Sequence, residues 1–197
     1  MHYLAGAADR QTPLDPDEAA QLIPSAIATR GELDLAEQAN ISTARRWAFA
    51  RARSPETILD EQFLRRLHKR MLGAVWRWAG RYRTTSRNIG VDVGQIAPQL
   101  GALLGDTRYW IKQSTYDVDE ICVRFHHRLV AIHPFPNGNG RHARLAADVL
   151  AVSLGAEPFG WGSQLAGSPA EARTAYVNAL READDGYIDR LLAFARS

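Results

Sequence analysis

The stretch His133-Pro134-Phe135-Pro136-Asn137-Gly138-Asn139-Gly140-Arg141-His142-Ala143-Arg144 is the most informative in the chain. Two glycines bracket Asn139 at the threshold of a helical pattern, rich in Ala and Leu, that runs from about Asn139 to Leu154. The backbone can therefore turn tightly and aim successive N–H groups outward at a helix start. Unpaired amides there, at the positive end of the helix dipole, make an anion site that favours phosphate. Arg141 and Arg144 lie three apart and share a face of the first turns. Two cations at a helix N-terminus oppose its dipole, a local cost that is offset when phosphates sit between them. His133 closes the preceding apolar segment and faces the same loop, where an imidazole can accept a proton from a hydroxyl near neutral pH. Phe135 is expected inside, fixing the loop. A histidine base, an amide cradle and two arginines together suit phosphoryl or nucleotidyl transfer. Each residue alone reads equally well as part of a helix–loop–helix with surface arginines; the set at this spacing does not.

Outward from this stretch the apolar spacing is helical almost everywhere. A helix over 117–132 turns Ile121, Phe125, Leu129 and Ile132 inward, and another covers 100–112. A third, from about Glu61 to Trp78, places Phe63, Leu64, Leu67, Met71, Val75 and Trp78 on one side and Arg65, Arg66, Lys69 and Arg70 on the other. Thr29-Arg30-Gly31-Glu32 has capping-box spacing, so a helix starts there and runs to about Arg53, ahead of Pro55. Two more follow at about 169–183 and 187–195. Residues 82–95 change character: Tyr, Thr, Ile and Val around Asn88 and Gly90 predict a short β-hairpin. The expected fold class is all-α, a helical bundle with one short hairpin. Residues 1–28, with Pro13, Pro16 and Pro24, read as an irregular arm, and residues 29–197 as a single domain.

The 197 residues, 46% apolar and 23% charged, suit one globular domain with a core of its own. Cys122 is the only cysteine, the start of the chain lacks the apolar run of a secretion signal, and no run approaches the roughly 18 apolar residues of a bilayer span. A cytoplasmic protein is expected. The net charge of +2 hides an uneven distribution: residues 1–44 carry −5, residues 45–87 carry +9 and the rest −2. That basic block is either a footprint for a polyanion or a pair of solvated helix faces. His126, His127, His133 and His142 make a poor zinc site, because helical neighbours point about 100° apart and no cysteine or carboxylate nearby completes a tetrahedral set. One of His126 and His127 is expected behind the loop, orienting it. The five tryptophans have the helical spacing of core residues rather than of base-stacking platforms.

Residues 133–144 closely resemble the signature of the Fic family, HPFx(D/E/N)GNGRxxR, with Asn137 at the variable acidic position. The similarity extends upstream through 125–132 and the segment Trp78-Ala79-Gly80-Arg81-Tyr82-Arg83, covering most of 60–150. Thr29 to Leu33, Glu37 to Ile41 and Arg83-Thr84-Thr85 further resemble the subgroup called mobile mystery protein B. The resemblance implies the Fic fold and transfer of AMP from ATP, with Mg²⁺, to a Tyr, Ser or Thr hydroxyl of a target protein, releasing pyrophosphate. It implies a catalytic set of His133, Asn139 and Arg141, with His133 as general base. The amides from Asn137 through Gly138, Asn139 and Gly140 would hold the α- and β-phosphates, Arg141 the β-phosphate and Arg144 the γ-phosphate. Ile89-Gly90-Val91 is similar to the family's flap, which aligns a target segment by strand-like pairing. Most adenylylating members carry Asp or Glu where this chain has Asn137, and a neutral amide oxygen attracts a hard cation less. Doc-like phosphotransfer, with the nucleotide reversed, is the alternative outcome on this fold. The competing class is a non-catalytic, nucleic-acid-binding helical regulator built on the basic block.

Many Fic proteins are held inactive by a glutamate in a helix carrying (S/T)xxxE(G/N), which pairs with the second motif arginine. No strict match occurs here. Glu37, in the 29–53 helix and followed by Gln38, is the candidate inhibitory residue with Arg144 as its expected partner; its ordinary reading is a surface carboxylate beside an arginine. Inhibition by a separate antitoxin-like protein is the other option. Members of the subgroup are usually encoded beside a small helix-turn-helix protein, which fits a toxin-like role on a mobile element.

Overall fold

The computed structural model describes residues 20–24, 26–52, 54–86, 89–165 and 168–197. Most of the expected N-terminal arm, 1–19, and the expected turn at 87 and 88 lie outside the described residues. The first described helix, α1 (Arg30–Phe49), begins at the expected capping box: Glu32 N–H donates to Thr29 Oγ1 at 3.4 Å, and Thr29 N–H to Glu32 Oε2 at 3.1 Å. A single turn, α2 (Pro55–Ile58), starts on its proline, and α3 (Glu61–Leu72) is capped by Asp60 Oδ1, which accepts from Phe63 N–H at 2.7 Å. A 3₁₀ turn, Val93–Gln95, leads into α4 (Ile96–Gln113), then α5 (Val118–Ile132), α6 (Asn139–Ser153), α7 (Pro169–Asp184) and α8 (Asp189–Arg196).

Helix α6 is the axis of the packing. Every residue from Leu145 to Ala151 is buried, which its period of small residues, Ala143, Ala146, Ala147 and Ala151, makes possible by letting neighbouring helices approach. Helix α5 lies along it most extensively, with α1, α2 and α3 on other sides; α4 backs α5, and α8 joins α7 to α5. Phe63, Phe125 and Phe135 are the largest fully buried side chains. Each such side chain contributes about 1.5–3 kcal/mol on leaving water. No helix among the described residues is long and apolar enough to cross a membrane.

Two expectations need correction. Helix α3 stops at Leu72, six residues short of Trp78: Val75 N–H and Trp76 N–H both fold back onto Leu72 O, and the chain leaves the helix axis. Trp76 instead bridges Leu22 in antiparallel fashion, with Ile23 N–H donating to Val75 O at 2.8 Å and Arg77 N–H to Gln21 O at 3.1 Å. The expected hairpin over 82–95 is not formed by its described residues. Arg83 N–H donates to Pro134 O at 2.9 Å and Val91 N–H to Ile132 O at 3.4 Å, so each limb pairs with the 132–134 segment rather than with the other limb.

Candidate active site

Helix α5 ends because His133 adopts a left-handed conformation, φ 53° and ψ 57°, which costs a non-glycine residue of order 1–3 kcal/mol. Arg83 accounts for that cost being met. Its guanidinium is 2% exposed; Nε donates to His133 O at 2.7 Å, Nη1 to Thr85 O at 3.2 Å, and Nη2 to Val91 O. One buried cation thus ties together the turn at His133 and both limbs of the 82–95 segment. Gly90, at φ +102°, presses on the same place: a Cβ there would meet His133 Cβ at 2.7 Å and Arg83 Nη2 at 2.9 Å. Ile89 beside it is 62% exposed, leaving that edge open to solvent.

The loop that follows is held from behind. Phe135 is buried, stacked on His68 with ring centroids 3.7 Å apart. Asn139 is 2% exposed and clasps Phe135 in both directions: its Oδ1 accepts from Phe135 N–H at 2.9 Å and its Nδ2 donates to Phe135 O at 2.8 Å. The Asn139 side chain therefore fixes the loop from inside rather than facing a ligand. Gly138, at φ +78°, is the N-cap of α6, and a Cβ on it would fall 2.7 Å from Leu72 Cδ1. No side chain among the described residues caps α6, so its first amides carry the partial positive charge of a helix start. Asn137 Oδ1 accepts from Gly138 N–H at 2.6 Å.

His68 and His142 pack behind this turn, where one of His126 and His127 was expected. Gly80 N–H donates to His68 Nδ1 at 2.9 Å, so the proton sits on Nε2, which donates to Asn137 O at 3.0 Å. Burial pushes the His68 pKa down to about 3, which keeps this single tautomer neutral. His142 bonds Leu64 O at 2.9 Å through Nε2, and burial lowers it to about 4. His126 Nε2 lies 3.1 Å from Tyr176 Oη and His127 Nε2 lies 2.7 Å from Asp184 Oδ1, so that pair faces α7 rather than the loop. Nothing in the sequence marks His68 for this part, because its partners are 12 and 69 residues away.

The two motif arginines part company. Arg141 Nη1 donates to Glu37 Oε2 at 2.5 Å, while Trp76 Nε1–H donates to Glu37 Oε1 at 2.6 Å. Glu37 is 5% exposed, and both its oxygens are engaged. The expected pairing of Glu37 with Arg144 is thereby corrected: α1 crosses the first turn of α6, where Arg141 sits. Arg144, one turn on and about 60° away round the helix, turns its side chain to α7. Its Nε donates to Gly140 O at 3.3 Å, and its guanidinium lies 5.3 Å from the Tyr176 ring centroid. Trp76 is a core residue, as expected, but lies off the helix: at 4% exposure it stacks on Trp78 with ring centroids 5.2 Å apart and donates to Glu37. Among the described residues no group of three or more His, Cys, Asp or Glu is placed to hold a metal ion.

The turn between α5 and α6 thus joins a left-handed histidine to a glycine-started helix within an all-helical fold. A family model described as Fic/DOC matches residues 58–151 of the chain. The chain is 33% identical over 124 residues to protein adenylyltransferase fic-1 of Caenorhabditis elegans, covering 61% of this chain and 23% of that protein. It is 30% identical over 133 residues to protein adenylyltransferase Fic of Drosophila grimshawi, covering 65% and 26%. The chain thus spans about a quarter of the length of these curated relatives. Among solved structures, a Fic-domain-containing signaling protein from Bacteroides thetaiotaomicron superposes with a TM-score of 0.68 at 18% identity, over 82% of this chain and 67% of that one. BepC of Bartonella tribocorum, solved with bound AMPPNP, superposes with a TM-score of 0.67 at 18% identity, over 98% and 94%. The C. elegans Fic-1 structure gives 0.63 at 26% identity, over 80% and 46%.

Proposed function

We propose that this chain is a protein adenylyltransferase that moves AMP from ATP to a Ser, Thr or Tyr hydroxyl of a target protein. The observation that carries the reading is the single turn in which His133, fixed by Arg83, stands at the end of α5 opposite the open amide terminus of α6. The curated relatives named as protein adenylyltransferases support it. His133 accepts the proton of the target hydroxyl as that oxygen forms a bond to the α-phosphorus of ATP. The bond from that phosphorus to the bridging oxygen breaks, and pyrophosphate leaves. The amides of Asn137, Asn139 and Gly140, with that of Gly138 once Asn137 Oδ1 turns away from it, take the phosphate oxygens, and Arg141 and Arg144 offset the charge of the β- and γ-phosphates.

For Mg²⁺ the fit is narrow. Asn137 Oδ1 is the one loop side-chain oxygen able to ligate, and it is already turned to Gly138 N–H, so a cation would rest mainly on phosphate oxygens and water. When bound it would offset phosphate charge. Glu37 occupies the Arg141 guanidinium that the β-phosphate needs, so the chain as folded is a self-inhibited form. The likeness to mobile mystery protein B adds a toxin-like setting with a helix-turn-helix partner to the reading.

Intact-mass spectrometry after incubation with ATP and Mg²⁺ tests this. A gain of one AMP by the protein itself or by an acceptor, lost in His133→Ala, is expected. Transfer of a phosphate instead would establish the Doc-like alternative, and transfer that persists in His133→Ala would remove the base from the mechanism.

A further inference from the structure

The basic block of 45–87 divides in the folded chain. Arg45 pairs with Asp148 at 3.5 Å, Arg51 and Arg70 lie over Trp47 at 4.6 Å each, and Arg83 is buried. Five others gather along one groove of about 460 Å³, lined on one wall by Arg65, Arg66 and Lys69 of α3 and on the other by Arg77 and Arg81. Arg65 and Arg66 have distant acidic neighbours, Glu61 at 4.0 Å and Asp60 at 3.8 Å. Lys69, Arg77 and Arg81 are exposed and carry no side-chain hydrogen bond or ion pair among the described residues. Trp76, Arg77 and Arg81 also line a second groove of about 620 Å³ that runs on to Pro136 and Asn137, so the cationic channel opens onto the motif loop itself.

We propose that this channel takes an acidic segment of the target protein, next in sequence to the hydroxyl that is modified. The inference rests on the adenylyl-transfer reading for the hydroxyl but not for the docking. Three cations without a side-chain partner among the described residues, concentrated in a concave strip, provide charge complementarity that the motif residues, occupied with phosphate, do not. From Gln62 to Gly73 the α3 wall is about 16 Å long, the span of about five extended residues. A nucleic-acid duplex needs a broad convex-fitting face, and the arginines that would widen this one are spent on Asp148 and Trp47. Ile23, 47% exposed in the same groove, gives an apolar anchor suited to a peptide side chain.

Two acceptor peptides that share one central Thr and differ only in flanks, five Glu or Asp against five Gln or Asn, separate the outcomes in the Glu37→Gly background. The acidic peptide should show kcat/KM about tenfold higher at low salt, collapsing to parity in Lys69→Glu/Arg77→Glu/Arg81→Glu while the neutral peptide is unaffected. Equal use of both peptides by the parent protein would overturn the docking while leaving adenylyl transfer standing. If neither peptide is modified, fluorescence anisotropy decides: acidic-peptide binding lost in the triple charge reversal sustains the docking alone, and no binding overturns it. Displacement of the acidic peptide by a DNA duplex at equal charge concentration would overturn the proposal in favour of nucleic acid. A tenfold gain in peptide affinity on changing Asp15, Asp17 and Glu18 to Ser would assign the channel to this chain's own acidic segment and also overturn it.

Discussion

Arg83 shows how far a single residue can govern the chemistry of another. It makes no hydrogen bond to residues 137–140, yet its guanidinium holds the His133 carbonyl at 2.7 Å and with it the turn that carries the imidazole. Arg83→Lys keeps the charge but cannot serve three carbonyls in one plane. We expect kcat to fall at least tenfold with the KM for ATP little changed; equal loss in both would show only a general loosening. Glu37 makes the opposite case, a residue whose removal should help. Glu37→Gly frees Arg141 and Trp76 and should raise self-adenylylation with labelled ATP by an order of magnitude or more, and an unchanged signal would contradict the inhibitory role. In the sequence the carboxylate could be singled out, but its partner could not. Arg141 is 104 residues away, and which motif arginine it meets depends on where α1 crosses α6. Arg83 falls within the segments of resemblance without a role attached and His68 outside any quoted motif, because their work is done through backbone groups of remote turns.

At the level of elements, the corner between α5 and α6 is where local chemistry dictates the most. Gly138 has both a positive φ and a neighbour, Leu72, that leaves no room for a Cβ. Gly138→Ala should therefore destabilise the protein by about 1–3 kcal/mol, visible as a lower thermal midpoint, and should weaken ATP binding more than that loss explains. A thermal midpoint and an ATP affinity both like those of the parent would contradict the cradle. This corner was legible in the sequence because the determinants are within a dozen residues. The α3 terminus was not: Val75 and Trp76 continue its apolar rhythm, and the partners they meet off the helix, Leu22, Ile23 and Glu37, are remote in sequence. The hairpin was over-read for a related reason. β-branched residues around a turn signal register a strand tendency, but here the carbonyls they would pair are taken by Arg83 and their amides by 132–134.

At the scale of the whole molecule, burial of imidazoles sets a pH limit. Burial depresses His68 to about 3 and His142 to about 4, and pushes His126 well below its ordinary value. The unfolded chain takes up these protons first, so the stability they contribute is complete above about pH 6.5 and is lost as pH falls through 4 and 3. Asp148, raised to about 6 by burial, works the other way: its contribution is complete below 3.8 and lost as pH rises through 6. Three imidazoles outweigh one carboxyl, so the thermal midpoint should drop steadily below pH 6.5, and less steeply in His142→Gln. A midpoint flat from pH 7 to 4 would contradict the burial of these rings. The charge asymmetry visible in the sequence survives folding only in part, because pairing, stacking and burial take Arg45, Arg51, Arg70 and Arg83 from any common face.

The central claim is that the turn between α5 and α6 grips a triphosphate with its α-phosphorus facing His133. Parallel incubation of the Glu37→Gly protein with ATP labelled at the α- or the γ-phosphate reads it directly. Covalent label from the α-position alone, absent in the additional His133→Ala change, is the expected result; label from the γ-position, or from neither, would contradict it.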